Sequence, residues 1–181
     1  MACLLATHHK EVEVKRTMRK PRAFLSLLVL VGAVVATIAA TAGAAPPTSA
    51  SGTIANTSAT FNSVRQADGN LIVDLSATAA YTGTFTGTST LHGILVIHAD
   101  GSANFHDTET FTGTVNGVSG TVTFDLTGHN DPDLVVYETR TVTGSAGGLA
   151  GLHGVLHEVG TVVLPNGPAT TYSGQITFPG P

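Results

Sequence analysis

The sequence predicts an all-β protein: a single eight-stranded antiparallel up-and-down β-barrel. Beyond residue 52 the chain is rich in Thr, Val and Gly, and its apolar residues show no helical period. Four tight-turn dipeptides, Asp68-Gly69, Asp100-Gly101, Asn116-Gly117 and Asn166-Gly167, each lie between alternating segments, which is the pattern of a hairpin. The stretch from Arg140 to Gly154 (RTVTGSAGGLAGLHG) sets five glycines between two strand-like runs. Without a Cβ in the way, backbone there can cross close to backbone. Four hairpins joined by three connections make eight strands. Closure into a barrel removes the unpaired edges that a two-sheet sandwich, the alternative, would leave.

Taken in order, residues 1–44 form a leader. Lys15 to Arg22 (KRTMRKPR) is cationic, Ala23 to Ala42 carries no charge, and Ala42-Gly43-Ala44 precedes Pro46-Pro47. This is the arrangement of an export signal cut after Ala44, which makes the protein secreted or extracytoplasmic. The apolar run also has the length of an uncleaved membrane anchor, the competing reading. Met18 stands directly before the basic cluster and is an alternative start to Met1. Residues 45–51, dominated by Pro, Ser and Thr, read as a flexible tether. The barrel domain is 52–181, with strands expected near 52–66, 71–80, 84–98, 103–115, 118–127, 134–143, 154–164 and 169–178.

Charge and cysteine usage narrow the function. Beyond Ala44 only Arg65 and Arg140 remain against ten carboxylates, a net charge of −8 with no lysine. Such a surface repels nucleic acid and anionic bilayers. The one cysteine, Cys3, lies in the leader, so the processed chain has no disulfide, thiolate ligand or thiol nucleophile. His153 and His157 are about 13 Å apart on a strand, too far to share an ion, and the other histidines are scattered, so no metal site is expected. GSAGGLAG lacks the Gly-Lys-Ser/Thr of a phosphate loop and leads into a strand rather than a helix. No motif specifies a cofactor.

Hairpin register places the polar residues, because a tight turn fixes which residues face each other. A two-residue turn at Asn116-Gly117 sets Phe111 opposite Val122, Glu109 opposite Phe124 and Asp107 opposite Leu126. Phe105, Asp107, Glu109 and Phe111 then share the apolar face, while Thr108, Thr110, Thr112, Thr121 and Thr123 face water. The same rule at Asp100-Gly101 sets His92 opposite Glu109, with directly opposed Cβ atoms about 5 Å apart. Glu138 and Arg140 share a face with Leu134, Val136 and Val142. Asn166-Gly167 sets His157 opposite Ile176, on a face with Val155, Val159 and Val163. Leu91, Leu95 and Ile97 fall on the outer face, an apolar row suited to a homo-oligomer interface.

The resulting interior cluster is His92, Asp107, Glu109, Glu138 and Arg140, with Tyr137 or His157 beside it. Three readings stand. The cluster does acid-base work, with burial raising the carboxyl pKa values. It is a satisfied structural network, because an interior charge must be paired. Or a bulge shifts the register and turns the acids outward.

Tyr81 to Thr90 (YTGTFTGTST), Asp100 to Gly120 (DGSANFHDTETFTGTVNGVSG) and Thr143 to Gly154 (TGSAGGLAGLHG) together resemble a bacterial family of unknown function. That family lies in the allene oxide cyclase barrel-like superfamily, which also holds the plant dirigent proteins. The resemblance spans nearly all of 52–178. It implies an allene oxide cyclase-like barrel with a largely apolar cavity, trimeric in many of the plant relatives. Where the family pattern has Glu and Arg near the glycine-rich crossover, this chain has Gly148 and His153. Glu109 matches an acidic position of the pattern. The expectation is a barrel holding a small apolar molecule against Phe105, Phe111 and Phe124. An isomerase or cyclase using Glu109 with His92 or Arg140 is the first alternative. The second is a surface protein whose barrel is filled by Phe105, Phe111, Phe124 and Phe178.

Overall fold

A computed structural model describes residues 45–179. The export signal, the Met18 start and Cys3 lie outside the described residues. Eight antiparallel strands follow in chain order: β1 (Thr48–Ala67), β2 (Asn70–Gly83), β3 (Phe85–Ile97), β4 (Ala103–Val115), β5 (Val118–Asn130), β6 (Val135–Gly147), β7 (His153–Val163) and β8 (Gly167–Thr177). Each pairs with its chain neighbours, and β1 pairs with β8, so one sheet closes on itself as a ring. β1 begins at Thr48 rather than 52. Residues 48–51, expected in the tether, supply the first four residue pairs of the seam with β8.

Two turns behave as their dipeptides dictate. Asp68-Gly69 and Asn116-Gly117 have φ of 51° and 80°, and 50° and 82°, the left-handed pair of a type I′ turn. Val115 therefore opposes Val118, and Asp107, Glu109 and Phe111 meet Leu126, Phe124 and Val122 as the sequence predicts.

The other two hairpins differ. Asp100 spends its carboxylate on the Ser102 N–H (3.0 Å) and hydroxyl (2.7 Å), while the His98 N–H donates to the Ser102 carbonyl. The loop thereby grows to residues 98–102, and Ile97 opposes Ala103. That slips the register by one and reverses β3: Leu91 now opposes Glu109, and His92 opposes Thr108 on the outside. At β7–β8 the loop is 164–166, so His157 opposes Ser173 instead of Ile176 and also faces out.

The two ends of the ring are built differently. At one end Phe85, Phe111, Phe124, Val115 and Val122 are fully buried, and Tyr81 and Tyr172 pack with them. Phe85 and Phe111 meet edge-on with ring centroids 5.5 Å apart. The glycine-rich crossover, residues 148–152 between β6 and β7, folds over this end and drives Leu149 and Leu152 into the core. Gly147 and Gly151, at φ of 70° and 80°, supply the reversals that this requires.

The opposite end stays open because β1 and β8 part. Their pairing runs from Thr48↔Ile176 to Ala55↔Ala169 and stops there, and β1 continues beside β2 alone, with register shifts after Asn56 and Phe61.

Candidate functional site

Below the aromatic end, Arg140 on β6 lies inside the ring, 2 % exposed. Its Nε donates to Glu109 Oε2 on β4 at 2.7 Å, and its Nη1 donates to Glu158 Oε1 on β7. Nη2 lies 3.2 Å from Glu138 Oε2, close enough for an ion pair though without hydrogen-bond geometry. The remaining oxygen of Glu109 accepts from the Tyr81 hydroxyl (2.8 Å) and from Ser89 Oγ, and Glu158 Oε2 accepts from Thr170 Oγ1 at 2.7 Å. The Tyr81 ring also lies 5.8 Å from the guanidinium carbon. Alternation on the strands explains the convergence: Glu138 and Arg140 are two apart on β6, and Asp107 and Glu109 are two apart on β4.

Asp107 completes the cluster from the cavity side. Its neighbour across the sheet is Gly93, where a Cβ would stand 1.7 Å from Asp107 Oδ1. Only glycine leaves room for that carboxyl to lie inward. Asp107 Oδ1 and Glu138 Oε2 are buried with no hydrogen-bond partner among the described residues.

One guanidinium thus faces four carboxyl groups. Burial pushes the Asp107 carboxyl up to about 7; Glu138 adds to the rise, Arg140 opposes it, and Glu109 adds a little more. Glu138 is raised for the same reason, burial first, with Arg140 opposing and Glu109 adding. Burial lifts the Tyr81 phenol well above its ordinary range, keeping it a hydrogen-bond donor. Desolvation works against the Arg140 charge, but Glu109 first and then Glu138 more than offset it and hold the guanidinium charged.

Above this cluster, toward the open end, is a cavity of about 160 Å³. Its walls are apolar, among them Leu75, Leu91, Leu95, Phe105, Leu126 and Val136, and Asp107, Glu138 and Arg140 supply charged groups to its lining. Exposed Phe61 and Leu164 also line it, beside the gap where β1 leaves β8.

Of the residues predicted from sequence, Asp107, Glu109, Glu138 and Arg140 converge, and Phe105 lines the cavity. Phe111 and Phe124 face inward but belong to the packed end and do not line the cavity. His92 is turned outward by the one-residue slip and meets Asp74 Oδ1 at 3.0 Å on the surface. His157 is exposed beside Thr139, and Tyr137 is 43 % exposed and stacked on His129, so neither joins the cluster. Leu91 is buried and Leu95 lines the cavity, so Leu91, Leu95 and Ile97 do not form an outer row. Sequence reasoning missed Tyr81, Ser89, Glu158 and Thr170. Glu158 follows from His157 directly: once His157 faces out, its neighbour on the strand must face in.

Among the described residues no group of three or more His, Cys, Asp or Glu is placed to hold a metal ion. No curated protein matches the chain. A crystal structure of a protein of unknown function from the DUF3224 family of Shewanella oneidensis MR-1 is similar, with a TM-score of 0.59 at 17 % identity, over 74 % of this chain and 98 % of that one. At that identity the likeness speaks for the fold alone. The profile of the family described as protein of unknown function (DUF3224) matches residues 50–162, more than half of the chain, and the chain belongs to that family.

Proposed function

We propose that the protein is an exported binder of a small, largely apolar molecule, held in the open half of an eight-stranded barrel of the allene oxide cyclase-like type. The observation that supports this reading is the apolar-walled cavity of about 160 Å³ lined in part by buried charge. Cavities of about 150 Å³ with aliphatic and aromatic walls take up benzene. Against the filled-barrel alternative, Phe85, Phe111 and Phe124 pack at one end of the interior and the cavity lies toward the other. Toluene binding, followed by ligand-observed NMR and thermal shift, tests the reading. Saturable binding is expected in the parent protein and its loss in Leu91→Trp, whose side chain fills the cavity. An absence of toluene binding to the folded parent sinks the proposal.

A catalytic reading survives in altered form. Glu109 does not line the cavity, and both of its oxygens are engaged by Tyr81, Ser89 and Arg140. Of the two acids in reach of a ligand, Asp107 and Glu138, burial raises the Asp107 carboxyl to about 7, the range that general acid-base work uses. An isomerase or cyclase of this design loses turnover in Asp107→Asn and keeps its fold. Turnover that survives that change removes Asp107 from the chemistry.

A further inference from the structure

We infer that the polar end of the ligand is a cation: the cavity takes a small organic amine as its ammonium, which donates N–H bonds to Asp107 and Glu138. This rests on the cavity reading above and adds the ligand's chemical class. Two buried carboxyl oxygens, Asp107 Oδ1 and Glu138 Oε2, belong to residues that line the cavity, and neither has a hydrogen-bond partner among the described residues. Both residues are 6 % exposed, so bulk water does not serve them as it would a surface carboxylate. A buried acceptor left unmade costs free energy, more so when charged, and a donor entering the cavity recovers that cost.

Charge selects an ammonium over a neutral hydroxyl. The guanidinium of Arg140 is already shared among Glu109, Glu158 and Glu138, and no other Lys or Arg of the described residues faces the interior, since Arg65 is exposed. Around Asp107, Glu138 and Arg140 approach from β6 and Glu109 and His106 from its own strand, while Gly93 of β3 and Leu126 of β5 bring no charge. With four carboxyl groups to one guanidinium, the cluster either retains protons or accepts a second cation. An ammonium supplies three donors and one positive charge in the volume of a methyl group, which suits the unpartnered Asp107 Oδ1 and a Glu138 Oε2 served only by the shared Arg140 at 3.2 Å. The apolar walls then take the body of the amine, an alkyl chain or a single ring.

Calorimetric titration of the protein with benzylamine, benzyl alcohol and toluene, at pH 8 and pH 5, tests this. Benzylamine keeps its charge at both values. It is expected to compete with toluene, to bind more tightly than benzyl alcohol by about tenfold for a charge-assisted bond, and to weaken at pH 5 as Asp107 takes up its proton. Toluene affinity stays level with pH. The variants Asp107→Asn and Glu138→Gln are each expected to weaken benzylamine by about tenfold while still binding toluene, which also reports that they fold. Toluene binding with benzylamine no tighter than the alcohol, or with no weakening at pH 5, overturns the ammonium inference and leaves the cavity reading standing. If neither toluene nor benzylamine binds, both fall together.

Discussion

Arg140 holds three strands to one point: Glu109 of β4, Glu138 of β6 and Glu158 of β7 all present carboxyl groups to its guanidinium. Such a network need not be worth more than an apolar core of the same volume, but removing one partner leaves the others uncompensated. Arg140→Met is therefore expected to lower the free energy of unfolding by about 3–5 kcal/mol, read as a shift in the urea midpoint at pH 7. Asp107 contributes a pH dependence of definite sign. Its carboxyl is raised from 3.8 to about 7, so between those values the folded protein keeps a proton that the unfolded chain has released. Stability from this group is full below about pH 4 and falls as pH rises toward 7. Asp107→Asn, neutral in both states, should gain on the parent by about 2–4 kcal/mol between pH 4 and pH 8. Parallel urea midpoints for the two proteins across that range would refute the shift.

Among the elements, the loops decided what could be read in advance. The β4–β5 hairpin was legible because Asn116 and Gly117 both take positive φ and nothing else competes for the turn. Asp107, Glu109 and their partners on β5 followed from it. Asp100-Gly101 has the same kind of dipeptide, but the Asp100 side chain bonds to Ser102 and lengthens the loop to five residues. One residue of slip was enough to exchange Leu91 for His92 on the inner face, since side chains alternate. Glu138 and Arg140 were legible from alternation within β6 alone, whereas Tyr81 and Ser89 needed the three-dimensional path of β2 and β3. The β5–β6 loop carries its own strain. Leu134 sits at φ 63°, held by its N–H bond to the Asp131 carbonyl, and it is 40 % exposed, so little packing is at stake. A side chain in that region costs about 1–2 kcal/mol over glycine, part of which glycine returns as chain entropy. Leu134→Gly should raise the urea midpoint by the equivalent of about 0.5–1 kcal/mol with the slope unchanged.

At the scale of the whole molecule, the ring is closed by one seam, and that seam depends on an absent side chain. β1 and β8 share eight residue pairs, from Thr48↔Ile176 to Ala55↔Ala169. At Gly52, opposite Tyr172, a Cβ would stand 1.9 Å from the Thr82 carbonyl oxygen and 2.5 Å from the Tyr172 hydroxyl. That hydroxyl accepts from the Phe85 N–H at 2.9 Å and donates to the Thr82 carbonyl at 3.1 Å, tying β8 to the β2–β3 turn across the packed end. Backbone on one side and a tethered phenol on the other leave a methyl group nowhere to go. Gly52→Ala is therefore expected to cost about 3 kcal/mol or more, the upper range for overpacking. Tyr172→Phe, which removes only the hydroxyl, should cost about 1 kcal/mol plus the penalty of leaving the Phe85 N–H unpaired. The two variants should also fail differently. Loss of the hydroxyl leaves the strands paired, so Tyr172→Phe should keep the parent's elution volume. Forcing β1 away from β8 exposes two long edges with free N–H and C=O groups, which pair with other chains. Gly52→Ala should accordingly show concentration-dependent light scattering under conditions where the parent shows none. A Gly52→Ala protein with the parent's stability and elution volume would mean that the seam adjusts more freely than its contacts allow.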